Sequence, residues 1–302
     1  MPPARVTATV GSRELTVSNL DKVLYPETGF TKAEVIDYYV RVAPTLLRHI
    51  GDRGITLRRY PNGVDGQNFF EKRCPSHRPD WVGTAVGPGD RNGIVDYCVF
   101  DEPAALAWAA NLAALELHAP MARAVDIDAP TMVVFDLDPG PGTAMAECAE
   151  VGLWIRDTLA GLDLACEPKT SGSKGLQVYV PLNTPHSHEH ASSFALAVAQ
   201  VLERAHPKLV VTTQAKAARK DRVLIDWSQN SRHKTTIAAY SLRARPHPTV
   251  STPVTWKEVE AAEEGAALSF EAAQVLARID EVGDLFAPTL ALEQRLPEPR
   301  GT

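Results

Sequence analysis

Val133-Val134-Phe135-Asp136-Leu137-Asp138-Pro139 ends an apolar run with two carboxylates, and the reading of this run decides the fold. Strand side chains alternate between faces, so Asp136 and Asp138 project together, roughly 6–7 Å apart, while Phe135 and Leu137 turn to the core. Two carboxylates leaving a buried strand repel each other unless a cation sits between them. Hard oxygen donors of this kind suit Mg²⁺ or Mn²⁺. Two such ions about 4 Å apart would activate a 3′-hydroxyl and stabilise a departing pyrophosphate in an in-line displacement. The alternative is a turn capped by Asx side chains, against which the preceding apolar strand counts.

A third carboxylate, Asp226, sits in Val223-Leu224-Ile225-Asp226-Trp227, where an unpaired charge is costly. It suits a third metal ligand from a neighbouring strand; a salt bridge to a nearby basic residue fits the spacing equally. Thr170-Ser-Gly-Ser-Lys-Gly175 offers glycines for close backbone approach, hydroxyl donors and the charge of Lys174, the ingredients of a triphosphate cradle, though not of a Walker A loop. His118 closes the Leu115-Glu-Leu-His run and fits either a phosphate contact or a satisfied helix-end residue. Phe69 and Phe70 are strand neighbours, so one should face the core and the other outward, placed to stack on a base with Arg58, Arg59 and Lys72 beside it for phosphates, although a core place for both also fits the residues alone. Cys74-Pro-Ser-His77 holds two soft ligands but lacks partners for a zinc site.

Around these motifs the pattern alternates helix and strand. Thr31-Lys-Ala-Glu34 is a capping box opening an amphipathic helix that closes near Gly51. Ile55–Tyr60 and Gln67–Lys72 read as strands, and a second helix runs from Pro103 to about Leu117. Helices over about 143–159 and 188–205 flank the strands near 131–138, 176–182 and 223–227. The fold class is α/β (α+β): a catalytic core at about 120–250 with a central mixed or antiparallel sheet flanked by helices, an N-terminal α/β portion over about 1–120, and an acidic helical segment over about 251–302.

A net charge of −6 argues against a nucleic-acid partner until its distribution is read. Residues 257–302 carry all of it, while Arg204–His247 holds ten Lys/Arg against Asp221 and Asp226. Basic clustering of that kind suits phosphate neutralisation, although a solvated face has the same composition. No apolar stretch is long enough to cross a bilayer, and the N-terminus lacks the apolar region of a secretory signal. A cytoplasmic, nucleoid-associated protein is expected, with no membrane partner, and its four scattered cysteines predict no disulfide.

In order along the chain, several motifs resemble the polymerase domains of bacterial end-joining ligases (ligase D), in the archaeo-eukaryotic primase superfamily. They are Asn19-Leu-Asp-Lys-Val-Leu-Tyr-Pro26, Arg59-Tyr-Pro-Asn-Gly-Val64, Phe69-Phe-Glu-Lys72, Leu115-Glu-Leu-His118 and Val134-Phe-Asp-Leu-Asp-Pro139. Thr170-Ser-Gly-Ser-Lys-Gly-Leu176, Ile225-Asp-Trp-Ser-Gln-Asn230, Lys234-Thr-Thr-Ile237 and Tyr240-Ser-Leu-Arg243 continue the series. The resemblance covers nearly the whole chain and implies one polymerase/primase-like domain over 1–302.

It also implies roles. Asp136, Asp138 and Asp226 match the catalytic, metal-binding carboxylates, which take two Mn²⁺ (or Mg²⁺) per site. His118, Ser171, Ser173, Lys174 and Arg243 match positions around the phosphates and sugar of an incoming NTP or dNTP, and Gln229 is a further candidate there. Lys22 and Lys32 match the pair that holds a DNA 5′-phosphate, and Arg58, Arg59, Phe69 and Phe70 fall at the template, with Phe70 stacking by analogy. The implied activity is template-dependent addition of (ribo)nucleotides to DNA 3′ ends at gaps, overhangs or double-strand breaks, as in non-homologous end joining, with Ku and a separate ligase as possible partners. The end-joining ligases also carry ligase and often nuclease domains, and no ligase lysine motif occurs here, so a standalone member and an excised domain both fit.

Two readings of other kinds compete. Phe135-Asp-Leu-Asp-Pro-Gly140 superficially resembles the phosphatase motif DxDGT, but Pro139 replaces its glycine and the motif lies mid-chain. A non-catalytic module that only binds DNA ends would need the basic segment and lysines but not the aspartates. De novo priming is a variant of the leading activity.

Overall fold

In the computed structural model, which describes residues 5–89 and 93–298, the chain divides into two units, and each gathers pieces distant in sequence. The first comprises Met1–Pro120, Ile237–Ser251 and Phe270–Gly283. It opens with the hairpin β1 (Arg5–Val10) and β2 (Arg13–Ser18), followed by the short strands β3 (Val23–Tyr25) and β4 (Phe30–Thr31). Helix α1 (Lys32–Ile50) starts at the predicted capping box: the Thr31 hydroxyl accepts from Glu34 N–H, and the Glu34 carboxylate accepts from Thr31 N–H. Its buried Val35, Tyr38, Tyr39, Val42, Leu46 and Ile50 recur every three or four residues, the stripe that a helix must bury.

Strands β5 (Thr56–Arg59) and β6 (Phe69–Glu71) pair antiparallel, and β7 (Gly83–Pro88) and β8 (Ile94–Val99) form a hairpin. Helix α2 (Pro103–Asn111) is shorter than the predicted helix to Leu117. Ala113 takes a left-handed φ of 56°, and Ala114–Ala119 becomes strand β9, paired with β5. The Ala- and Leu-rich composition favours a helix, but Leu115 and Leu117 alternate with Glu116 and His118, and pairing to β5 decides the outcome. Cys74 and Cys98 are joined in a disulfide, Cα–Cα 4.8 Å, which widely spaced cysteines did not predict. The fold brings them together by packing the chain after β6 onto β8, where Cys74 N–H donates to Asp96 O.

The second unit comprises Met121–Thr236, Thr252–Ser269 and Asp284–Thr302. After the small hairpin β10 (Ala122–Arg123) and β11 (Asp126–Pro130) come β12 (Met132–Pro139), α3 (Met145–Ala160), β13 (Glu167–Thr170), β14 (Leu176–Pro181), α4 (His188–Ala205), β15 (Val210–Val211) and β16 (Val223–Asp226). They form a five-stranded sheet in the order β13-β14-β12-β16-β15, antiparallel except for the parallel β15–β16 pair, with α3 and α4 packed on β12. This is the mixed sheet with flanking helices that the sequence predicts. Burial of Val133, Val134, Phe135 and Leu137 fixes the register of β12, since a one-residue slip would send its aspartates into the core.

No helix among the described residues is long and apolar enough to cross a membrane.

Candidate active site

Strand register assembles the carboxylates. Asp136 lies directly opposite Asp226 on β16, and Asp138, two residues on, shares their face of the sheet. On the other side of β12, Asp136 is opposite Gln177, which is in turn opposite Lys169 on β13. A polar row, Lys169–Gln177–Asp136–Asp226, therefore crosses four adjacent strands. Lys169, 1% exposed, donates through Nζ to Gln177 Oε1, and Gln177 Nε2 donates to Asp136 Oδ1 at 2.9 Å. Burial first, then the charges of Asp138 and Asp226, push the Asp136 carboxyl well above the usual range; Gln177 and Lys169 pull the other way.

Asp226 has its oxygens engaged in this conformation. Oδ1 accepts from Gln214 Nε2 (2.8 Å), Ser228 N–H (3.0 Å) and Ser228 Oγ (2.6 Å), and Oδ2 accepts from Gln229 Nε2 (2.9 Å). Gln229, a further candidate for the nucleotide in sequence, here donates to this carboxylate. Arg219 ties Gln214 in place by donating from Nη2 to its Oε1 at 2.8 Å. Among the described residues no three His, Cys, Asp or Glu side chains converge as a ready cage for an ion. The three aspartates are nevertheless hard oxygen donors on one face, in mutual repulsion that a divalent cation would relieve, so the residues fit such an ion.

Glycines let the surrounding loops close on this sheet. A Cβ at Gly175 would overlap the Leu137 carbonyl oxygen, so the Thr170–Gly175 loop lies against β12. Ser171 Oγ accepts from the N–H groups of Ser173 (3.2 Å) and Gly175 (3.1 Å), shaping the loop, while Lys174 is exposed. At Gly140 a Cβ would overlap the carbonyl oxygen of Arg219 and stand 2.7 Å from that of Arg222. Backbone cannot give way as a side chain does, so Gly140→Ala should cost about 1–3 kcal/mol in a urea melt, and wild-type stability would refute the close approach.

The first unit holds the remaining residues. Glu116, 1% exposed on β9, gathers His118 Nε2 (3.0 Å), Arg58 Nη1 (3.3 Å), Arg243 Nε (3.1 Å) and Ala244 N–H (3.1 Å). Hydrogen bonds and charges from His118 and Arg243 hold its carboxyl well below the usual range despite burial. His118 is pushed down by burial, then by Arg243 and Arg58, against the upward pull of Glu116. Buried tyrosines moor the segment that carries Arg243: Tyr25 Oη donates to Arg243 O and Tyr38 Oη to Tyr240 O.

Phe69 and Phe70 are 44% and 55% exposed, so neither turns to the core as strand alternation suggests. They lie on an edge strand, where Arg59 covers the Phe69 ring and Arg58 the Phe70 ring, at 5.2 and 5.0 Å. Arg59 also donates to Leu112 O and Glu71, which fixes its guanidinium. Lys22 and Lys32 come together at the start of α1: Lys32 N–H donates to Lys22 O, and Lys32 Nζ to Ser18 O at 2.7 Å. Burial and the neighbouring Lys22 push Lys32 down to about 8. Beside them a cavity of about 620 Å³ is lined by Val6, Asn19, Leu20, Asp21 and Lys22. Asn19 there, like Glu116, Lys169, Gln177 and Gln214, was not singled out from sequence.

A mixed sheet presenting a carboxylate pair and a facing third carboxylate defines a cation-dependent phosphoryl- or nucleotidyl-transfer class of protein. The model of the LigD primase-polymerase domain matches residues 31–286, and the chain belongs to that family of nucleotidyltransferases. It is 48% identical over 276 residues to the multifunctional non-homologous end joining protein LigD of Mycolicibacterium smegmatis, covering 90% of this chain and 35% of that protein. The bifunctional non-homologous end joining protein LigD of Bacillus subtilis is 29% identical over 82% of this chain and 40% of its own length. The chain thus spans about a third of the curated relatives it matches. Among solved structures, the polymerase domain from Mycobacterium tuberculosis ligase D in complex with DNA matches with a TM-score of 0.86 and 45% identity, over 91% of this chain and 98% of that one.

Proposed function

We propose that this chain extends DNA 3′ ends at gaps, overhangs or breaks, adding nucleotides against a template beside an anchored 5′-phosphate. The observation that carries the proposal is the register of β12 and β16, which sets Asp136, Asp138 and Asp226 on one face. These three would hold two divalent ions, Mn²⁺ or Mg²⁺, which when bound supply Lewis acidity for the attacking hydroxyl and the departing pyrophosphate. Lys174 and Ser173 would take the triphosphate, with Ser171 setting the loop. His118 and Arg243 would contact phosphate or sugar. Phe70, with Arg58 behind its ring, would stack on a template base. The names of the relatives, and the DNA in the M. tuberculosis complex, favour a place in end joining.

The decisive experiment is extension of a gapped, 5′-phosphorylated DNA with rNTPs or dNTPs, in Mn²⁺ or Mg²⁺, alongside an unprimed template. Extension that requires the gap supports the proposal; no incorporation under any condition refutes it, and products from the unprimed template would make the chain a primase.

Lys22 and Lys32 provide a pH test of end anchoring. Lys32 loses its charge as pH rises through about 8, whereas an ordinary lysine keeps it to about 10. A bound phosphate favours the charged form, so binding at pH 8–9 takes up a proton. The preference for 5′-phosphorylated over 5′-hydroxyl ends, read by fluorescence anisotropy, should fall between pH 7 and 9. A constant preference over that range would remove Lys32 from the anchor.

A further inference from the structure

We propose that Glu116 is a positioning residue, one buried carboxylate that sets His118 by its Nε2 and Arg243 by its Nε for the incoming nucleotide. This rests on the assignment of His118 and Arg243 to that nucleotide.

Four donors from three segments converge on the two oxygens: Arg58 from β5, His118 from the same strand as Glu116, and Arg243 with Ala244 N–H from the segment after Tyr240. Only an ionised carboxylate, an acceptor at every lone pair, satisfies all four. An amide would turn its NH₂ against one pair of donors whichever way it lay.

Stability alone does not account for this centre. A buried ion pair is weak evidence of stabilisation, because well-packed apolar residues of similar volume often do as well. What an apolar residue cannot supply is direction. With Nε2–H donating to Glu116, neutral His118 keeps Nδ1 as its other ring nitrogen, and the tautomer is set by the carboxylate. The Phe70 ring then meets the imidazole edge-on, centroids 5.3 Å apart, while Arg58 bonds Glu116 and covers Phe70. One carboxylate therefore orients side chains assigned to both nucleotide and template.

The test uses the full chain with ¹⁵N-labelled histidine. In the wild type, His118 should show the Nε2–H tautomer by long-range ¹H–¹⁵N correlation. In Glu116→Gln, His118 should shift toward Nδ1–H, and KM for the nucleotide should rise roughly tenfold or more with a smaller change in kcat. Mn²⁺ affinity, which depends on the other unit, should hold. Glu116→Asp keeps the charge and should recover part of both effects; it also serves if the amide variant melts below the assay temperature. A folded Glu116→Gln with unchanged tautomer and KM would overturn the proposal, as would a loss confined to kcat that tracks melting temperature. His118→Ala and Arg243→Ala separate the premises: unaltered KM in both sinks the nucleotide assignment, while raised KM there with none in Glu116→Gln sinks Glu116 alone.

Discussion

Replacing Asp136 and Asp138 together with alanine should abolish nucleotide addition, a loss of at least about 10³-fold, because the ions they would hold supply several kcal/mol of charge stabilisation. DNA-end binding, measured by anisotropy, should survive, since Lys22 and Lys32, proposed above to anchor the end, lie in the other unit. The same variant should be more stable than the wild type in metal-free buffer near neutral pH. The folded Asp136 carboxyl is raised by burial and by its two carboxylate neighbours, so the folded state holds a proton that the unfolded chain releases. Stability from this group is present at low pH and is lost as pH rises above the ordinary carboxylate range toward the raised value. A metal-free urea series from pH 4 to 7.5 should show this slope in the wild type and little of it in the double variant. Undiminished extension by the double variant would sink the metal-centre assignment altogether.

The parts of this site that were legible in sequence are those fixed by local rules. The alternation of Val133–Asp138 puts two carboxylates on one face whatever the rest of the fold does, and the Thr31–Glu34 box starts a helix from four residues. The helix expected over about 188–205 also stands, at His188–Ala205. What escaped was decided by partners far along the chain. Asp226 faces Asp136 only through the β12–β16 register, and no spacing rule chooses that pairing over a salt bridge. Glu116 was read as helical until β5 recruited its segment as a strand, and only then do Arg58 and Arg243 meet it. Phe69 and Phe70 are both exposed on β6, a matter of tertiary packing that neighbouring residues do not encode. Gln177 looked like an ordinary strand position and Lys169 fell in no predicted strand, since their meaning lies in which strands stand beside them.

Lys169→Met is the sharper test of that row. An amide has one carbonyl and one NH₂, so fixing its oxygen fixes what the nitrogen faces. Lys169 Nζ holds Gln177 Oε1, which leaves Gln177 Nε2 to donate to Asp136 Oδ1 and orient that carboxylate. Methionine keeps the length and apolar stem of lysine without the charge or its hydrogen bond, so the Gln177 carbonyl keeps only Tyr179 Oη, at 3.3 Å, and the amide is held less firmly. Asp136 would then lose the firm orientation of that donor and the compensating positive charge of Lys169 together. Partners that orient metal ligands typically contribute 10–100-fold in affinity, so Mn²⁺ should bind this variant about 10–100-fold more weakly in calorimetry without DNA or nucleotide. Gln177→Leu should produce a comparable loss, and the double variant little more than either alone, because both act through one hydrogen-bonded chain. Additive losses would mean that Lys169 acts on the site through its charge alone, and wild-type Mn²⁺ affinity in a folded Lys169→Met protein would show that Asp136 needs no such support.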